Sequence, residues 1–178
     1  MSIPLIITKP ESNEYPEWFE AEIGPVHYND LIYGFNNLHD QSLELLSSLN
    51  DEQLFYRYET GKWSIKEIWQ HLIDVERILG YRALRYARKD QTVLSGFNEK
   101  QYTIESKADE REWKDILDEY SLVRKSNISL FSGFTPEMRM NRGTAGKSEL
   151  TVRAVGYLVL GHNLHHLKII KERYLKLH

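Results

Sequence analysis

Two histidines four residues apart, His162 and His166, lie in the run GHNLHHLKII inside a long apolar stretch with helical spacing. Positions i and i+4 of a helix stack on one face, so two imidazoles placed there can approach one cation from the same side. A third, His71, lies in WSIKEIWQHLIDVERIL, a second segment of helical period. Three imidazole ligands leave a divalent metal with open coordination positions, the arrangement of a catalytic site rather than a closed structural one. The competing reading is a set of core histidines, each hydrogen-bonded to a neighbour. Two buried imidazoles on one apolar stripe need either several polar partners or one ion, because an unsatisfied ring nitrogen costs free energy.

Other residues near these three bear on the same question. His165 is three beyond His162 and could reach the same face, but it points about 100° away from His166, which suits a second-layer or surface group better than a ligand. Asn163 stands where a zinc protease of the HExxH type needs its glutamate, which argues against peptidase chemistry of that kind. Asp74 lies three residues beyond His71, and Glu76 follows close behind. Either carboxylate is a candidate to orient a ligand or to assist proton transfer, and an ordinary surface ion pair is the alternative for both. Glu67 is already committed to a helix cap. His27, His39 and His178 read as solvated or capping residues. The string GTAGKS at 143–148 is not a phosphate-binding loop, because Asn141 occupies the position of the required first glycine and no strand is expected before it. It reads as a connection into the last helix.

The elements that must position these groups follow from periodicity. Residues 1–27 form an irregular arm punctuated by Pro4, Pro10, Pro16 and Pro25, with Trp18 and Phe19 pinning it to the body. A first helix starts near Asn29 or Asp30 and carries Leu31, Phe35, Leu38, Ser42, Leu45 and Leu49 on one face. The second has a capping box, Ser64-Ile65-Lys66-Glu67, with Trp63 and Ile68 as a hydrophobic staple. Its stripe of Ile68, Leu72, Val75 and Leu79 is flanked by His71. A third helix spans roughly 108–131 and a fourth about Leu150 to Tyr174, capped by Glu149 or Thr151. Residues 90–107 and 132–149 are long connections. No strand is expected. Four such helices imply an all-α four-helix bundle about 30–38 Å long, a single domain over 1–178. Spacing alone leaves the order of the helices open.

Composition removes several classes of function. A net charge of −3 argues against nucleic acid as a partner. The absence of cysteine excludes disulfides, thiolate ligands and a cysteine nucleophile, and fits a reducing cytoplasm. The N-terminal residues lack the basic region of a signal peptide, and no apolar run is long enough to span a bilayer.

The segments GKWSIKEIWQHLIDVERILGYR and GHNLHHLKIIKERYL resemble the DinB-like superfamily of metal-binding four-helix bundles, which includes the bacillithiol S-transferases and mycothiol-dependent enzymes. The family pattern of one ligand histidine in the first segment and two, four apart, in the second falls on His71, His162 and His166. The resemblance implies an up-down-down-up bundle, a divalent metal such as nickel or zinc, a small-molecule substrate and frequent homodimerisation. Two activities go with it. One transfers a low-molecular-weight thiol to an electrophile; the other hydrolyses a small substrate with metal-activated water. The alternative is a non-catalytic helical module that binds a metal or a small ligand.

Overall fold

The computed structural model describes residues 6–177; Pro4 and His178 lie outside the described residues. Eight α-helices and one β-hairpin occur among them: α1 (Glu20–Ile23), α2 (Leu31–Ser47), α3 (Asp51–Phe55), α4 (Ile65–Ala87), α5 (Glu99–Ser106), α6 (Trp113–Ser132), α7 (Pro136–Met140), β1 (Arg142–Ala145), β2 (Ser148–Thr151) and α8 (Val152–Ile169). The long helices α2, α4, α6 and α8 form the bundle. No helix among the described residues is long and apolar enough to cross a membrane.

Each long helix begins where local chemistry dictates, except α6. The Asp30 carboxylate accepts the Tyr33 amide to open α2. Ser64 and Glu67 complete the reciprocal capping box of α4. Thr151 caps α8 by accepting the Ala154 amide at 3.2 Å. The start of α6 has no side-chain cap. It follows a separate 3-10 turn at Ala108–Glu110, so the expected single helix from 108 begins five residues later.

Contacts between helices fix their directions. Trp113 donates to the Leu46 carbonyl, and the Phe35 and Phe131 rings meet 5.7 Å apart, so α2 and α6 are antiparallel. The pairs Trp69–Tyr120 and Glu76–Arg124 ascend together, so α4 and α6 run parallel. Leu31 packs at Gly156 and Leu160 at Gly34, which makes α2 and α8 parallel as well. His71 faces His162 and His166, while Trp63 lies at Tyr174, so α4 and α8 are antiparallel. The bundle is therefore up-down-down-up, with α2, α6, α4 and α8 in that order around it.

Parallel neighbours need a connection that returns the full length of a helix. That requirement accounts for the stretch between α4 and α6, although it is more ordered than the expected open crossover. Leu94 forms a parallel bridge to Ala145, and Asn98 caps α5 by accepting the Gln101 amide at 3.1 Å. The stretch 132–149 also departs from expectation. Thr135 caps α7 with Pro136 in its first turn, and β1 pairs antiparallel with β2 from Arg142↔Thr151 to Ala145↔Ser148. Gly146 takes the left-handed conformation (φ +59°) that this two-residue turn requires. The GTAGKS string is thus a hairpin. It sits beside Tyr86 and Ala87, some four helical turns along α4 from His71, and does not line the site.

The arm is tied down by polar groups. Buried Glu14 accepts from Thr151 and from Arg153, each at 2.8 Å. The Tyr157 hydroxyl lies 3.1 Å from the carbonyls of both Ile7 and Tyr28. Deeper in the bundle, Arg124 is fully buried and grips Glu76 with two bonds of 2.8 and 2.9 Å. Asn127 adds a bond to the Glu76 carbonyl, and the Arg124 guanidinium lies over the Phe35 and Tyr120 rings.

Candidate metal centre

The apolar stripe of α4 turns His71 inward, and that of α8 turns His162 and His166 toward it. Because the two helices cross antiparallel, the three rings converge from opposite walls. The Nε2 atoms of His71 and His162 are 3.3 Å apart, and those of His166 and His162 are 3.1 Å apart. One nitrogen from each of the three lies within 4.8 Å of the others.

These separations match what one ion demands. Two nitrogens each about 2.0–2.1 Å from a shared metal stand about 2.9–3.4 Å apart at octahedral to tetrahedral angles. The protonation state matches too. Burial pushes His71 from 6.5 down to about 4. Burial, reinforced by the His71 and His165 rings, takes His162 to about 3. His166 is lowered by burial and then by His162, His71 and His165. All three are neutral at neutral pH, with lone pairs to give. Apart from one another, they have no hydrogen-bond partner among the described residues. A neutral imidazole is one donor and one acceptor, so three converging rings cannot satisfy each other fully. Imidazole nitrogen as the donor type suits zinc, nickel, copper or iron rather than magnesium or calcium.

Among the described residues the other sequence candidates are not part of this group. His165 is exposed, its ring 5.2 Å from that of His166. Asp74 accepts from the Gln70 amide at 3.0 Å, and burial raises its pKa. Glu76 is held by Arg124, so its carboxylate orients the α4–α6 contact rather than an imidazole. Glu67 accepts from the Ser64 amide at 2.8 Å and from Arg57 at 2.9 Å. His39 is neither freely solvated nor a cap; its Nε2 lies 3.0 Å from the Ser121 hydroxyl.

One cleft of about 540 Å³ reaches the triad at His166. Its apolar walls are Tyr58, Trp63, Ile68, Ile104, Ile169 and Tyr174. The Trp63 ring lies 4.9 Å from that of His71, covering it. The Tyr174 hydroxyl donates to the Trp63 carbonyl at 2.6 Å, anchoring the π-helical turn Ile170–Tyr174 that follows α8. Several of these residues escape a reading by periodicity. Ile104 comes from α5, within the expected open crossover, and Tyr174 from beyond the regular helix. The Asn98 cap was the available signal for α5.

Immediately before His162, Gly161 brings α8 against the arm. A Cβ at this position would stand 2.1 Å from the Glu22 carbonyl oxygen.

Comparison with known proteins bears on the family and the fold. The chain matches the family model of the DinB superfamily over residues 35–170. No curated protein sequence matches it. Among solved structures it is similar to YfiT from Bacillus subtilis, described as a probable metal-dependent hydrolase with an unusual four-helix bundle topology. That likeness has a TM-score of 0.74 at 16% identity and covers 83% of this chain and 87% of the other, which is a likeness of fold. With its family match spanning most of the sequence and all three converging histidines, this chain belongs to the DinB superfamily.

Proposed function

We propose that this protein is a metal-dependent enzyme in which His71, His162 and His166 hold one divalent cation, nickel or zinc, at the inner end of the cleft. The observation that carries the reading is the spacing of the three Nε2 atoms, with 3.1 and 3.3 Å between neighbours. The description of YfiT as a probable metal-dependent hydrolase supports it. A cation held there would supply Lewis acidity, lowering the pKa of a water or thiol to give a nucleophile near neutral pH. Three neutral imidazoles leave its charge undiminished. The apolar walls line the approach, and Trp63 packs against the His71 ring. An approach to the site from the His166 side favours catalysis over a sealed structural ion.

The same reading takes a small molecule as substrate, a single domain over 1–178 and a homodimer in the cytoplasm. Between the two reactions, thiol transfer asks less of this site. Glu67 is the one carboxylate lining the cleft among the described residues, and Ser64 and Arg57 occupy it. A free thiol titrates near 8.5 and water near 15.7, so a thiol becomes a nucleophile with far less help. With no cysteine in the chain, that sulfur comes from a low-molecular-weight thiol. The test is turnover by nickel- and zinc-loaded protein on two panels: a small thiol with an alkylating electrophile, and water with esters and amides. Metal-dependent turnover in the first panel supports thiol transfer, and in the second, hydrolysis. Inactivity in both, at full metal loading, refutes the enzymatic reading.

A further inference from the structure

The cleft also carries charge whose pattern bears on the substrate. Three cationic side chains line it: Arg57, Lys62 and Lys100. Arg57 is neutralised, since it bonds Asp109 at 2.7 Å and Glu67 at 2.9 Å. Lys62 and Lys100 have no ion pair among the described residues. The Lys62 ammonium lies 5.7 Å from the centre of the Tyr58 ring, a wall of the same cleft. The two lysines come from different elements. Lys62 precedes the α4 cap, and Lys100 sits in the first turn of α5, four residues before the cleft wall Ile104. A chain of net charge −3 thus presents two positive charges without an ion pair among the described residues at the cleft that reaches His166. Clefts with apolar walls focus such a field on an entering ion.

We propose that the substrate is a small amphipathic anion, a carboxylate or phosphate ester on an apolar or aryl body. Lys62 and Lys100 receive its charged group at the rim while the apolar body extends along Trp63 and Ile169 toward His166. The volume suits this class, as pockets for small organic ligands run to about 300–1,000 Å³. The proposal rests on the reading of the cleft as the substrate site, but it makes a claim independent of the metal. The lysines, not the cation, select the charge.

Binding of 3-phenylpropionate and of its neutral amide, measured by calorimetry, separates these contributions. Each probe is titrated into wild type and into the Lys62→Gln/Lys100→Gln double variant, with the protein metal-loaded and again after chelation. Both lysines are exposed, so the substitutions leave the core intact. The expected result is an anion preference of roughly three- to tenfold in wild type, lost in the double variant whether or not metal is present, and weakened by salt. An equal preference in wild type and double variant overturns the proposal, as does a preference that disappears on chelation alone, or failure of the anion to bind. Metal content, measured on the same samples, reports separately on the histidine site.

Discussion

By sequence position Glu76 is a candidate to serve the histidines; the fold pairs it with Arg124, and that pairing can be tested. Substituting Glu76→Gln keeps the shape but removes the charge facing a guanidinium with 0% exposure. Arg124 would keep its long bond to the Phe35 carbonyl, at 3.3 Å, and its position over two rings, but its charge would be uncompensated. Breaking a buried pair from one side costs about 3–5 kcal/mol. The amide retains one acceptor, so we expect about 3 kcal/mol. A chain of 178 residues unfolds with an entropy of roughly 0.37 kcal/mol/K, so Tm falls by about 8 °C. Thermal unfolding followed by circular dichroism measures the drop. Replacing both partners, Glu76→Leu with Arg124→Met, should recover most of it, because a packed apolar pair avoids the desolvation of two charges. A loss under about 2 °C for the single variant would refute the argument from burial. Metal content supplies a second readout. Folded Glu76→Gln protein should hold as much metal as wild type, and a loss with the fold intact would restore this carboxylate as a group that orients the ligands.

The arm and the approach of α8 give two further predictions. Burial raises the Glu14 pKa, but the bonds from Arg153, the Glu11 amide and Thr151 outweigh it, so the folded value lies below the ordinary 4.5. The unfolded chain therefore takes up this proton first; the stabilisation is complete above about pH 4.5 and is lost as pH falls through the folded value. The urea midpoint of wild type should fall in that window more steeply than that of Glu14→Gln, and parallel curves would count against the anchor. Gly161→Ala forces a methyl group against the Glu22 carbonyl, a rigid neighbour, and should cost about 1–3 kcal/mol, seen as a lower urea midpoint and faster proteolysis of the arm. An unchanged midpoint would mean that the arm shifts freely.

Much of this molecule is legible in its sequence where local rules govern. The Ser64–Glu67 box starts α4 because both orphan amides find partners within one turn. The stripes on α4 and α8 aim His71, His162 and His166 inward because burial of the apolar side chains sets the rotation of each helix. Elsewhere the deciding interactions are distant in sequence. Arg124 claims Glu76 across 48 residues, a choice made by the parallel packing of α4 and α6. The β-hairpin at 142–151 has only four residues per strand and gains support from Leu94, too short a run for alternation to declare it. The helix α5 is mostly exposed, with Thr103 its one buried residue, so it carries no stripe to recognise, although Asn98 marks its start. The cleft wall Ile104 is hidden for the same reason, whereas Tyr174 is buried in the π-helical turn that follows α8 and is placed at the cleft by its bond to the Trp63 carbonyl.

The central claim is that three imidazoles share one ion, and elemental analysis of purified protein tests it most directly. Wild type should retain about one nickel or zinc per chain after dialysis, while His71→Ala, His162→Ala and His166→Ala, each checked for retained helical content, should retain far less, since two ligands hold such an ion weakly. Equal metal in wild type and in folded His162→Ala, or none in wild type offered either ion, would contradict the account.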